Sequence, residues 1–527
     1  MKKNKGSLGG DAVKLTVSKM IVLLITLVTG MLLSRFRTKY EYGTYSQLNM
    51  VITLFTTIFM MGIPNSLNFF LARAETKEER SHFLSVYYSI STLLSLVVGA
   101  VLVAAAPLIA GYFDNPLIKD FLYYLAVLPW TKIICASIEN ILVVYRKTNF
   151  IMVFRWANSL ALLGIIVLVQ AMNWTFGIYM ILYVAVESFF SICVYIIARG
   201  CAGRLTISFD KELIKTILKF SIPLGLASML GTLNIELDKF VIGGLMDTES
   251  LAVYTNASKE MPVTIIASSI TAVLLPQMAR LFKRNEDKKA VDLWGNATYL
   301  SFTLIAFLSF ALFVFAPEVM NILYSEKYLD GVSVFRIYSL ILMFRSTYFG
   351  MILNCKGKTK YILYSSIASL VLNLVLNYLF YYLFGFIGPA IATFIAVCTI
   401  ELFQLYLSAK FTGVKMREIM PWAQLLKSLL LNGALAGVMY AAKMVLPLDK
   451  FFYSLIGDIE FMSIGKYSGD IAEAAVLGIV WLGLFAVLMI KPLKTKWRLL
   501  NSAETVSVEA DNPEEVGSLQ QDNGDLI

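Results

Sequence analysis

The sequence predicts an all-α polytopic membrane protein. It would have about fourteen transmembrane helices: two parallel six-helix lobes plus two additional helices at the C-terminal end. Three observations lead there. Of 527 residues, 58% are hydrophobic and only 15% are charged, against roughly 45–50% and about 25% in soluble domains. The apolar residues gather in runs of about 20, the length of helix that crosses about 30 Å of hydrocarbon. The pattern that opens the chain also opens again about 210 residues later.

The expected spans centre on Ile25, Ile58, Leu94, Ala126, Leu163, Val186, Leu230, Ile266, Ala306, Leu342, Val371, Ile395, Leu435 and Ile479. As helices they satisfy their own backbone hydrogen bonds in lipid. Pro129, Pro223, Pro262 and Pro389 fall inside spans and are expected to bend them. The connections alternate in charge. Basic residues crowd the N-terminal segment and every second connection, from Arg73, Lys77 and Arg80 to Lys491, Lys494, Lys496 and Arg498. That asymmetry predicts both termini in the cytoplasm. Arg35, Arg37 and Lys39 break the rule, clustering in the first outer connection.

The formal charge of +9 therefore reads as membrane topology and not as a nucleic-acid surface. The first apolar run is full length, which predicts a span and not a cleavable leader. The five cysteines contain no CxxC pair and lie in or beside apolar runs, which argues against a metal or disulfide framework. Residues 501–527 are acidic and nearly free of aromatics, the composition of a disordered cytoplasmic tail.

The repeat is carried by an ordered set of matches. Gly43-Thr44-Tyr45 pairs with Ala252-Val253-Tyr254, Pro64 with Pro276, Ala106-Pro107 with Ala316-Pro317, Lys147-Thr148 with Lys358-Thr359, and Ser159-Leu160 with Ser369-Leu370. The offsets are 209, 212, 210, 211 and 210. Six spans per copy is an even number, so both copies enter from the same side, and parallel repeats place a transport site between them. The expected domains are residues 1–205 and 206–412 for the lobes, 413–500 for the two added helices, and 501–527 for the tail.

Leu33-Ser34-Arg35, Glu41-Tyr42-Gly43-Thr44-Tyr45 and Gly62-Ile63-Pro64 resemble the N-terminal pattern of bacterial polysaccharide-transport flippases. Asp238-Lys239-Phe240-Val241-Ile242-Gly243, with Tyr254 and Pro276, is similar to the pattern opening their second half. These flippases belong to the superfamily of multidrug, oligosaccharidyl-lipid and polysaccharide exporters. The resemblance spans residues 10–410. It implies two six-helix lobes that move a polyprenyl-diphosphate-linked oligosaccharide from the inner to the outer leaflet of a bacterial cytoplasmic membrane by alternating access. The implied partners are that lipid-linked glycan, membrane lipids, and the polymerase and glycosyltransferases of cell-surface polysaccharide biosynthesis. No nucleic acid is among them.

Such a substrate has an anionic head, so cations at membrane depth are the candidate ligands. Arginine offers a planar fork to two phosphate oxygens and lysine a point charge. The substrate-binding candidates are Arg35, Lys132, Lys239, Lys259 and Arg345. Glu139, Glu187, Glu236, Asp238 and Glu401 are the acids that would pair with them or bind a coupling ion, H⁺ or Na⁺. Glu236 and Lys239 are three apart and able to pair on one helix face.

No other cofactor is expected. An enzyme would want a large outer loop or a cluster of histidines and acids. The longest outer loop runs only from 446 to 470, His82 is the single histidine, and no GxxxxGK[ST] phosphate loop occurs. The protein therefore reads as a transporter and not an enzyme. A multidrug or cation antiporter of the same fold is the alternative. A membrane glycan-assembly enzyme or scaffold is the alternative of another class.

Overall fold

The structure, a computed structural model, describes residues 8–446, 448–457 and 468–509. All regular elements among them are helices. α1 (Leu8–Phe36) is the first span. A capping box of Thr38 and Glu41 starts α2 (Lys39–Met60), satisfying backbone N–H groups that the first turn leaves orphaned. α2 stops where Met61 and Gly62 turn left-handed, at φ 41° and 73°. α3 (Pro64–Ser66) and a π-helical turn at Leu67–Leu71 continue it at a bend of 53°. Thr76 and Glu79 cap α4 (Lys77–Tyr112) in the same way. α5 (Leu122–Val144), α6 (Thr148–Ala171) and α7 (Phe176–Ala202) complete the first six spans.

Asp210 caps α8 (Lys211–Leu245), which bends by 50° after Pro223. α9 (Thr248–Ala257), a 3-10 turn at Pro262–Thr264 and α10 (Ile265–Lys283) form an interrupted span. α11 (Asp287–Val314) leads to α12 (Ala316–Tyr324), a 3-10 turn at Glu326–Gly331, α13 (Val332–Phe344) and α14 (Met351–Cys355). α15 (Thr359–Phe384), α16 (Gly388–Thr412), α17 (Trp422–Val445), α18 (Leu448–Ile456) and α19 (Ser468–Glu509) follow.

Among the described residues, ten helices are long and apolar enough to cross a bilayer, twelve if each bent pair is one span. One of the ten, Thr359–Thr412, runs for 54 residues and contains both α15 and α16. The expected tenth span is split between α13 and α14, each too short to cross alone. The helices are thus compatible with fourteen spans, and every expected centre falls inside one.

Two expectations change. Pro262 opens a 3-10 turn, and Pro389 occupies the first turn of α16, where its missing N–H costs no helical bond. α19 continues to Glu509, into the segment expected to be disordered; residues 510–527 lie outside the described residues.

The chain packs as two compact units. The first comprises Met1–Pro262, Leu323–Gly331 and Leu370–Thr393; the second comprises Val263–Ile322, Val332–Ser369 and Phe394–Ile527. In the first, α4 packs on α5, α5 on α7, α1 on α6, and α2 on both α8 and α9. A Cβ on Gly43 would collide with the Thr248 carbonyl, so α2 and α9 approach backbone to backbone. Beside that crossing, the Tyr42 hydroxyl donates to Asn256 Oδ1 at 2.6 Å and Gln47 Nε2 to Thr248 Oγ1 at 3.1 Å. In the second unit, α11 is the hub, packed on α10, α13, α17 and α19. Its core holds Trp294, Phe307, Trp481 and Phe485, all buried.

Candidate functional site

Five of the ten candidates gather in the first compact unit. Lys132 on α5 lies within electrostatic reach of Glu187 on α7 and Glu236 on α8. Among the described residues it has no ion pair or direct hydrogen bond. Glu236 pairs instead with Lys239, one turn along α8, at 3.0 Å. Lys259, just past α9, reaches the electrostatic range of Lys239. Its Nζ sits where a side chain on Gly30 of α1 would be: a Cβ there would come within 2.8 Å. Three ammonium groups and two carboxylates thus share one region at membrane depth. Only one of the three lysines is spoken for by an ion pair.

The walls around Glu187 are aromatic. Tyr45 of α2 stands 6.1 Å, ring centre to ring centre, from Tyr183 of α7, and Tyr124 of α5 stands 5.8 Å from the same ring. These rings were not singled out by sequence, because a tyrosine in an apolar run carries no signal of which way it faces.

Asp238 is held by hydrogen bonds of its own. It is fully buried; Tyr254 donates to its Oδ2 at 2.9 Å and the Lys239 N–H to its Oδ1 at 2.8 Å. One turn back on α8, the Asn234 carbonyl accepts from Asn373 Nδ2 of α15 at 3.5 Å, and Asn373 in turn accepts from buried Asn377. Asn377 Oδ1 is buried with no hydrogen-bond partner among the described residues. A buried carboxylate such as Asp238 suits a hard monovalent cation or a proton. No three His, Cys, Asp or Glu side chains among the described residues converge on a metal position.

Glu139 and Arg35 stand elsewhere. Glu139 shares an i,i+7 face of α5 with Lys132 but binds Lys19 of α1 at 2.8 Å and Arg155 of α6. Lys19 is one of the basic residues of the N-terminal segment, and nothing in the sequence marks Arg155 as a partner of Glu139. Arg35 ends α1, and its carbonyl accepts from Lys327 Nζ at 3.1 Å; the Arg37 carbonyl accepts from the same ammonium at 2.5 Å. Arg37 donates to the Trp174 carbonyl, and Lys39 pairs with Asp330 at 3.5 Å. The basic cluster that broke the loop-charge rule is therefore anchored by protein groups.

In the second unit, Arg345 occupies the break between α13 and α14 and faces Glu401 of α16 electrostatically. The break has no proline. α11 satisfies it: Ser301 donates to the Ser346 carbonyl at 2.5 Å and Trp294 Nε1 to Thr347 Oγ1 at 2.9 Å. Irregular backbone at this depth survives only with such partners.

Residues 32–333, more than half of the chain, match the family described as "Polysaccharide biosynthesis protein". The chain belongs to this family. It is 22% identical over 308 residues to the amylovoran biosynthesis protein AmsL of Erwinia amylovora, covering 55% of this chain and 75% of that one. It is 21% identical over 236 residues to the probable lipid II flippase MurJ of Rickettsia prowazekii (strain Madrid E), covering 40% and 46% respectively. The match thus spans about half the length of that relative. A solved structure titled "Lipid II flippase MurJ, inward closed conformation" superposes with a TM-score of 0.70 at 16% identity, covering 91% of this chain and all of that one. At that identity the likeness establishes the fold: this family member is an all-helical, multi-pass membrane protein of the MurJ architecture.

Proposed function

We propose that the protein is a flippase. It would carry a polyprenyl-diphosphate-linked oligosaccharide, a precursor of a cell-surface polysaccharide, from the inner to the outer leaflet of a bacterial cytoplasmic membrane. The observation that carries this reading is the gathering of Lys132, Lys239 and Lys259 with Glu187 and Glu236 at membrane depth. Charges placed there cost roughly 2.5–3.5 kcal/mol each on insertion scales, a cost that functional cavities justify. An excess of ammonium over carboxylate suits a diphosphate. AmsL and MurJ, by their names, serve polysaccharide assembly and lipid flipping.

In this reading both termini face the cytoplasm, the two repeat copies act as lobes rocking in alternating access, and no covalent chemistry is done on the substrate. Arg35 and Arg345 serve as further phosphate contacts along the route. Buried Asp238, Glu187 or Glu401 binds the coupling ion, H⁺ or Na⁺. A polymerase and glycosyltransferases consume and supply the glycan.

The test is outer-leaflet appearance of the lipid-linked glycan, normalised to the amount of membrane protein. Lys239→Ala should abolish delivery at unchanged protein level, and Lys239→Arg should keep part of it, because charge survives in altered geometry. Full delivery by the double variant Lys239→Ala with Glu236→Ala would remove Lys239 from the substrate site.

A further inference from the structure

Four carboxylates and one lysine cluster within electrostatic range where α12, α17, α18 and α19 come together in the second compact unit. Lys443, near the end of α17, forms an ion pair with Glu318 of α12. Asp470 and Glu473, at the start of α19, lie within electrostatic range of that pair, and Asp449, in the first turn of α18, lies within range of Asp470 and Glu473. The elements are tightly joined: Ser468 donates to the Gly457 carbonyl at 2.5 Å, and a Cβ on Gly469 would strike the Asp449 carbonyl.

If all five groups were ionised, four negative charges would face one positive, leaving three uncompensated. The two most buried acids each keep one carboxylate oxygen without a partner. Glu473 is 2% exposed and Glu318 6%, and Glu473 Oε1 and Glu318 Oε2 have no hydrogen-bond partner among the described residues. The other charged and titratable groups on the neighbouring helices do not compensate. Tyr440, Lys450 and Tyr453, the last packed beside Gly469, are exposed, and Arg336 of α13 is committed to the Phe313 carbonyl at 3.3 Å.

A buried charge without a partner is costly, and carboxylates sharing one site cannot all ionise. The four acids are near enough to feel one another's charge, but among the described residues no three are arranged to hold a metal ion. A proton needs only one carboxylate with a free buried oxygen. Its binding removes one charge and converts an orphan acceptor into an O–H donor for a neighbouring carboxylate.

We propose that this cluster is a proton-binding site in which Glu473 carries the proton and the Lys443–Glu318 pair supplies the fixed counter-charges. The proton enters from solvent and leaves to it; no other bond changes. The site belongs to a different compact unit from the lysine cluster, and its existence does not depend on the transport reading. Its use as a coupling site does rest on that reading.

The experiment uses the full chain in lipid nanodiscs. The infrared band of protonated carboxyl groups at neutral pH should lose intensity in Glu473→Gln, an isostere of the protonated acid. An unchanged band overturns the proposal. If the variant fails to fold, wild-type protein treated with an apolar carbodiimide decides the matter, since the reagent couples to protonated carboxyls. Label mapped to Glu473 should be present at neutral pH and fall severalfold as pH rises; no label at neutral pH overturns the site. In vesicles, the pH profile of glycan delivery should flatten in Glu473→Gln. A wild-type-like profile overturns the coupling role alone. Absence of delivery by the wild-type protein at every pH would be a failure of the transport reading, with the proton site still decided by the spectrum.

Discussion

Gly30 holds open the space that the Lys259 ammonium fills. The obstacle to a larger residue is the tip of a flexible side chain, so folding should tolerate the change. Gly30→Ala is expected to leave protein level and thermal stability nearly unchanged while lowering glycan delivery, measured per unit of membrane protein. Equal loss of both would reduce Gly30 to a packing role. At this scale the sequence was legible only where partners are local. Glu236 and Lys239 are three apart, and they do pair. The approach of Lys132 to Glu187 and Glu236 joins three different helices, and nothing in spacing along the chain encodes it. The pairing of Lys19 with Glu139 is equally silent, because it joins α1 to α5 across about 120 residues of chain.

Helices show the same division between what is local and what is not. The capping boxes are written in Thr38–Glu41 and Thr76–Glu79, and both form. The break at Arg345 is not written, because its stabilising donors lie on α11, about 45 residues earlier in the chain. Close helix crossings are similarly silent. Gly43→Ala should destabilise by about 1–3 kcal/mol, the usual range for overpacking, because the added methyl meets the Thr248 backbone. Gly164→Ala, where a Cβ would meet nothing within 4 Å, should be neutral or stabilising by up to about 1 kcal/mol from helix propensity. Thermal unfolding of the two variants in one detergent checks the contrast.

The C-terminal end of α1 offers a pH test. Lys327 donates there to two carbonyls, and burial, with Arg35 and Lys39 nearby, pushes its pKa from 10.5 down to about 8. The folded state therefore holds fewer protons than the unfolded state between those values, so stability should rise with pH across that window. The penalty is fully present below about 8. Lys327→Met should remove the rise. A wild-type slope retained in the variant would assign it to another group.

For the whole molecule, composition and repeat were enough to read an all-helical membrane fold, because both are global averages that survive local error. The packing of compact units was not so readable. The repeat divides the chain by similarity, whereas contact groups α8 and α9 with the first six spans, and contact depends on close backbone approaches such as that at Gly43, whose partner the sequence does not name. The proposed orientation makes a prediction at this scale. Single cysteines at Lys147, Lys211 and Asp287 should react with a membrane-impermeant maleimide only after the inner face is exposed. Labelling of any one from outside intact cells would overturn the count of spans before it.

The crossing of α2 with α9 also sets an order for biogenesis. Tyr42 and Gln47 on α2 find Asn256 and Thr248 on α9 about 200 residues later in the chain. While a ribosome is still making the second half, those polar side chains have no such partners, and the inserted first six spans are an unfinished protein open to membrane proteases. A nascent fragment released at residue 205 should be cleared quickly in a pulse-chase experiment, and one released at residue 262, which already carries α9, should persist. Similar lifetimes for the two fragments would mean that quality control does not sense this interface.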